Sequence, residues 1–450
     1  MDSASQLIVF TFGIIAIIVL TARFRIQAFL ALISVSIFMG LFLRISPNDL
    51  VKNVVDGFGD TLGYVGLLVF AATIIGELLG KTGATVVISE SILRLVGRTR
   101  TAFAIGATGY LVTPPVACND TAFLILSPVA RVLGRASGYS TIFISLALAA
   151  GTYSSFKLVF PAAPLYAATI FQADLAAVIV LGFLISVPVF GIGLLWTRAY
   201  THRSAFRSEQ ADPRAEKDSA FVHDRLTNID LPSPIESYGI IVIPLILILS
   251  RALADAYLLA SNTFRVLTDF IGYPVIAMLI GVGLSLFVAR KHRTEEVSEW
   301  FGEGVARAAS IVAIVGGGGV LGRILLTADL GRVLGSSITA LGISGAVVVF
   351  LVAAVIKTAQ GSSVVTMVTA PSILLPLLPT LGISPTLATL LVSAGAMISV
   401  HLNDSYFWVV TGSAQMGVSD GIKSLTAMSI IQGLTAFALV MLIRTLMPAL

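Results

Sequence analysis

Apolar residues recur from Leu7 to Met447 in stretches of membrane-spanning length, separated by short polar or charged joints. A transmembrane helix needs about 20 mainly apolar residues. That rule marks spans at 7–22, 27–43, 61–80, 139–157 and 174–197, then at 238–257, 270–289, 306–326, 386–401 and 421–447. Two further apolar stretches, 101–135 and 341–378, are each interrupted midway by a polar knot, which leaves arms too short to cross comfortably. They read as re-entrant hairpins, tolerated in a bilayer only where the tip is buried in protein or lines a cavity. From Thr85 to Gly97, Ile88, Ile92 and Leu95 alternate with Ser89, Glu90 and Arg94, the pattern of an interfacial amphipathic helix.

Composition sharpens this picture. Hydrophobic residues fill 56% of the 450 positions and charged residues 12%, against roughly 25% charged in a soluble chain. The one long polar stretch, 198–235, is too short for a catalytic domain, so an anchored enzyme is excluded. Arg23, Arg25, Lys81, Arg94, Arg98, Arg100, Arg131, Arg135, the cluster from Arg198 to Arg225, Arg290, Lys291 and Arg293 all fall on one side of the spans. That side is expected to be cytoplasmic, with only Arg44, Lys52, Arg251, Arg265 and Arg332 opposite. The net charge of +4 then needs no nucleic-acid partner. A single cysteine, Cys118, excludes an intramolecular disulfide. Met1 to Gln6 lacks a basic leader region, so the first apolar run is expected to stay attached as a span.

The two halves resemble each other. Setting each residue on the one 243 positions later puts Leu126-Ser127-Pro128 on Thr369-Ala370-Pro371, Asn119-Asp120 on Ser362-Ser363, and Phe160-Pro161-Ala162 on Asn403-Asp404-Ser405. Gly57 and Gly59 match Gly302 and Gly304 at an offset of 245. Polar interruptions, rather than Leu and Val, fall into register. Five spans plus a non-crossing hairpin make an odd number of crossings per half, so the second copy is expected to be inverted, the architecture of alternating-access transporters. The expected fold is an all-α polytopic membrane protein with an inverted repeat, about ten transmembrane helices, two re-entrant hairpins and interrupted helices. Residues 1–200 form the first repeat, 201–235 a cytoplasmic linker and 236–450 the second repeat.

In such folds the substrate sits near the bilayer midplane, among helix breaks that offer unpaired backbone groups. The repeat points to four breaks, at 117–121, 159–164, 359–363 and 401–405. Ionisable groups at membrane depth are functional hypotheses by default. Asp404 at the second broken span is the first choice for proton or substrate handling, against a local helix-cap role. His401 is a candidate to share its proton, and Asp120 is the other acidic group at a break. Asn119, Thr121, Gly361, Ser362, Ser363, Asn403 and Ser405 supply small polar contacts for a substrate. Lys157 and Lys357 rank equally as partners for a carboxylate, with interfacial snorkelling the plain alternative for Lys157. Glu77 and Arg323 occupy near-equivalent repeat positions and read as structural or gating. Gly316 to Gly319 lacks the strand and the Gly-Lys-Ser/Thr of a phosphate loop, so it reads as close helix packing. No His, Cys and carboxylate grouping has metal-ligand spacing.

Several of these segments are also recognisable together. Ser399-Val400-His401-Leu402-Asn403-Asp404-Ser405-Tyr406-Phe407-Trp408, Ala168-Thr169-Ile170-Phe171-Gln172-Ala173-Asp174, Gly316 to Gly319, and Lys357-Thr358-Ala359-Gln360-Gly361-Ser362 resemble, in order and spacing, the gluconate permease (GntP-type) family of proton symporters. That family lies within a larger group of ion-coupled transporters with hairpin-containing inverted repeats. The resemblance implies import of a small sugar-acid or hydroxy-acid anion with protons, across a bacterial inner membrane, with no cofactor and no enzymatic activity. The chain departs from gluconate-transporting members at Val159-Phe160-Pro161-Ala162-Ala163-Pro164, where they resemble one another in Pro-Pro-His-Pro-Gly-Pro. This points towards a smaller acid such as 3-hydroxybutyrate, lactate or glycerate. Two alternatives stand beside it: Na⁺ coupling on the same fold, and an intramembrane hydrolase using Ser405 or Ser362 with His401. Homo-oligomerisation is left open by the sequence.

Overall fold

The computed structural model describes residues 3–96, 101–114, 119–136, 138–161, 163–203, 231–257, 263–330 and 343–447. Cys118, Ala162 and most of the 201–235 linker lie outside them. The protein is all-α, with no strand among the described residues. The first half runs α1 (Ser3–Ala22), α2 (Ala28–Phe42), α3 (Pro47–Lys81), α4 (Ala84–Val96), α5 (Thr101–Val112), α6 (Asn119–Ala136), α7 (Thr141–Leu158), α8 (Pro164–Ile170) and α9 (Leu175–Arg203). The second half runs α10 (Pro234–Tyr257), α11 (Thr263–Ile271), α12 (Pro274–Ala289), α13 (Thr294–Thr327), α14 (Gly345–Gln360), α15 (Ser363–Leu374), α16 (Pro385–Gly395), α17 (Ser405–Ala414) and α18 (Ala427–Leu446). A short helix, Val418–Gly421, and a π-helical turn over Ile422–Thr426 lead into α18.

Six of these helical segments are long and apolar enough to cross a membrane, and five shorter apolar helices accompany them. Bulky apolar side chains also face outward, among them Phe12 at 69% exposure and Phe270 at 65%. Such a surface suits lipid rather than water. The chain is a multi-pass membrane protein.

The spans differ from the sequence expectation in length. The span expected at 61–80 is the second part of α3, which starts at Pro47 because Ser46 caps it by accepting from Asp49 N at 3.2 Å and Pro fits the first turn. Likewise 306–326 is part of the 34-residue α13. The 270–289 span splits into α11 and α12, which meet at a 69° bend. The 386–401 span stops at Gly395, leaving a non-helical run up to Asp404.

Local devices recur in both halves. Ser140 caps α7 through Phe143 N at 3.2 Å, and Ser384 caps α16 through Leu387 N at 3.3 Å. A Cβ on Gly151 would collide with the Gly106 carbonyl oxygen, and one on Gly395 with the Phe350 carbonyl oxygen. Each pair lets a hairpin arm, α5 or α14, press backbone to backbone on the helix that precedes a break. Helix α7 is buried along its whole length, so its polar residues find protein partners, some on the helix itself, as when Ser154 Oγ donates to Ala150 O at 2.8 Å, and others on the second half, as Lys157 does. 

Helices α3 and α13 pack extensively on each other and, with α2, α10 and α12, form one group. They cross where Gly57 and Gly319 face one another; added Cβ atoms on Gly316, Gly318 and Gly319 would strike Phe58, Val368 and Thr61 respectively. The glycine run is thus a packing surface. The hairpins and broken helices, α5 to α9 and α14 to α18, form a second group that meets the first chiefly through α13 against α15 and α3 against α8.

Candidate functional site

Helix ends from both halves converge in the second group. Lysines close two of them: Lys157 lies in the last turn of α7 and Lys357 in the last turn of α14, both fully buried. A cation there is favoured by the negative end of the helix dipole. The ammonium of Lys357 donates to Asp404 Oδ2 and to Gly361 O. Asp404 in turn caps α17, accepting from Tyr406 N at 3.0 Å through its other oxygen. One carboxylate therefore serves a helix N-terminus and a buried cation together, and the cap role and the charge role of Asp404 coexist.

Lys157 is used differently. Its ammonium donates to Ala396 O at 2.8 Å, just past the end of α16, and lies 5.2 Å from the centre of the Tyr153 ring. Tyr153 Oη donates to Met397 O at 2.9 Å. Side chains of the first half thus satisfy the carbonyls that the second half's broken helix leaves open. 

The hairpin tips complete the constellation. Gly361, at φ +77°, lets α14 end and turn into α15, and a side chain there would run into the Asn403 backbone. Ser362 caps α15 through Val365 N at 3.3 Å. Asn403 Nδ2 donates to Thr358 O at 2.8 Å and Ala359 O at 3.0 Å, and His401 Nε2 lies 3.0 Å from Thr358 O. At the other tip Asp120, in the first turn of α6, accepts from Ser405 Oγ. Tyr406 stands between: its hydroxyl bonds Thr152 Oγ1 at 2.6 Å, and its ring stacks on Tyr153 with centroids 5.8 Å apart.

The structure thus brings Asn119, Asp120, Lys357, Gly361, Ser362, Asn403, Asp404 and Ser405 to the meeting of the breaks. Thr121 follows Asp120 in the first turn of α6, and Ser363 opens α15. His401 meets a carbonyl rather than the Asp404 carboxylate, and Lys157 holds a carbonyl rather than facing a carboxylate. The Ser–His pair needed by a hydrolase is not formed by Ser405, whose hydroxyl donates to Asp120. Sequence reasoning missed Tyr153, Thr152, Tyr406 and Gln360. The last two lie inside quoted segments, and Gln360 carries a readable signal: a long amide at a hairpin tip with nothing local to bond. Both its polar atoms are buried without a hydrogen-bond partner, as is Asn119 Oδ1. Buried polar atoms are ordinarily satisfied, so these three mark where a polar ligand would complete the network. No group of three His, Cys, Asp or Glu among the described residues is arranged to hold a metal.

Comparison with known proteins identifies the family and the fold. The family model described as GntP family permease matches residues 5–446. A gluconate permease of Pseudomonas aeruginosa is 31% identical over 435 residues, covering 96% of this chain and 95% of its own. The Gnt-II system L-idonate transporter of Escherichia coli is 27% identical, covering 94% and 95%. Among solved structures, the Alcanivorax borkumensis YdaH transporter, described as having an unusual topology, aligns with a TM-score of 0.63 at 18% identity over 90% of each chain. That likeness concerns the fold.

Proposed function

Because the chain belongs to the GntP permease family, we propose that it imports a sugar acid, or a smaller hydroxy acid, together with protons across a bacterial inner membrane. A permease of this kind is a transporter rather than an enzyme. Relatives named for gluconate and L-idonate, similar over nearly the whole chain, favour a polyhydroxy acid. Residues 1–200 and 236–450 act as two inverted copies joined by the 201–235 linker, and alternating access moves the site between the two sides.

The observation that carries the coupling is the buried pair of Lys357 and Asp404. A substrate carboxylate competes for Lys357 only when Asp404 gives it up, because two carboxylates on one buried ammonium leave an uncompensated negative charge. A proton on Asp404 removes that conflict and frees Lys357. Anion and proton then enter as a neutral pair. Gln360 and Asn119 Oδ1 offer partners for substrate hydroxyls, and Asp120 with Ser405 closes the first hairpin tip over them. Na⁺ coupling is less well supported, since the tip carbonyls of Thr358, Ala359 and Gly361 already accept hydrogen bonds from Asn403 and Lys357. The test is uptake of gluconate, L-idonate and lactate into proteoliposomes under a pH gradient without Na⁺, and under a Na⁺ gradient at uniform pH. Saturable uptake of an acid driven by the pH gradient supports the reading. Uptake driven by Na⁺ alone replaces it.

A further inference from the structure

A cavity of about 440 Å³ opens between the two helix groups, where α3 and α13 face the α8–α9 corner, and no hairpin-tip residue described above lines it. Its size is that of a small-molecule pocket. Two segments singled out by the sequence, Ala168 to Asp174 and the glycine run on α13, meet in its wall. The ends of α3 and α13 that frame it lie on the side the charge pattern assigns to the exterior.

The chemistry of the wall suits a hydroxy acid. Arg323 forms long ion pairs with Asp56 at 3.9 Å and Asp60 at 3.8 Å, held by charge rather than by hydrogen bonds on a half-exposed side chain. Its planar fork of donors can therefore turn to a carboxylate while water screens the two acids. Thr61 Oγ1 donates to Gly57 O and Thr169 Oγ1 to Leu165 O, which leaves both hydroxyl oxygens able to accept. Asp60, on the rim at 73% exposure, is an acceptor for substrate hydroxyls. Gln172 is held at φ +54°, a conformation that costs a non-glycine residue about 1 kcal/mol or more and is retained mainly where the surroundings require it. It lines the cavity, where its amide can both donate and accept. 

We infer that this cavity is a second binding site for the transported hydroxy-carboxylate, a capture site in which Arg323 takes the carboxylate while Asp60, Thr61, Thr169 and Gln172 take hydroxyls. The inference rests on the sugar-acid reading of the substrate. Occupancy here raises the anion concentration beside the second helix group, which carries Lys357, so the site governs apparent affinity rather than maximal rate.

The test uses Ala173→Cys, a cavity-lining position, in a Cys118→Ala background, labelled from outside by a membrane-impermeant thiol reagent with and without gluconate. Gluconate should slow labelling several-fold, should still do so when Lys357→Met disables the hairpin-tip site, and should lose this effect in Arg323→Gln. An unchanged labelling rate without ligand reports that each variant is folded. Protection that disappears with Lys357→Met, or survives Arg323→Gln, overturns the inference, as does no protection in a protein that transports gluconate. Protection by gluconate in a protein that transports none of gluconate, L-idonate and lactate leaves the capture site standing and refutes the transport reading instead. In uptake assays, Arg323→Gln should raise KM about tenfold with maximal rate retained; an unchanged KM contradicts the site.

Discussion

Lys357 and Asp404, 47 residues apart, form an ion pair sealed from solvent, with the lysine side chain at 0% exposure and the carboxylate at 6%. Removing one member of a buried pair strands the other charge and typically costs about 3–5 kcal/mol, whereas replacing both is far milder. Lys357→Met and Asp404→Asn should each lower the thermal unfolding midpoint in detergent, and the double variant should recover much of the loss while remaining unable to transport. A double variant as unstable as the sum of the singles would mean the two groups are not energetically paired.

Charge compensation of the substrate makes a second prediction. Replacing Lys157 or Lys357 by Met, similar in length and uncharged, should abolish acid uptake in at least one case with folded protein retained. Normal uptake by both variants would mean that neutral donors alone bind the carboxylate.

The glycine contacts predict a third set of effects. Gly361→Ala meets both a left-handed backbone and the Asn403 carbonyl, and Gly151→Ala meets the Gly106 carbonyl across α5 and α7. Each should destabilise by about 1–3 kcal/mol through forced backbone movement. Gly412→Ala, with nothing within 4 Å of the added Cβ, should be close to neutral in the same unfolding assay.

Tyr406→Phe keeps the ring stacked on Tyr153 and deletes the hydroxyl that bonds Thr152 and meets Asn119. A loss of about 1 kcal/mol in stability is expected, with a smaller effect if Thr152→Val accompanies it, since both partners are then apolar. A larger loss in the double variant would show that the hydroxyls do not act as a pair.

Much of this was legible from the order of the residues. Apolar runs located the helices, and polar knots located both hairpin tips, because Gly361, Ser362 and Asn119 have no reason to interrupt an apolar arm unless the chain turns there. The stop of α16 at Gly395 was not legible. Ala396, Met397 and Ile398 are apolar and continue the pattern, and what ends the ladder comes from outside it: Lys157 and Tyr153 take the Ala396 and Met397 carbonyls from 239 and 244 residues away, while Ser399 turns to φ +61°. The start of α3 was missed for the opposite reason, since Asn53, Asp56 and Asp60 read as polar loop until α13 is packed alongside. Lys357 and Asp404 were both visible as candidates, each alone. Their pairing depends on the hairpin and the broken helix meeting in space, which spacing along the chain does not encode.

The most direct test of the coupling account is gluconate accumulation in proteoliposomes without Na⁺, acidic outside, comparing the natural chain with Asp404→Asn. The natural chain should accumulate substrate with the gradient and stop when the gradient is collapsed. Asp404→Asn, uncharged like the protonated carboxyl, should lose accumulation yet retain exchange of labelled for unlabelled substrate. Accumulation by Asp404→Asn in response to the proton gradient would contradict the account and move the proton to Asp120.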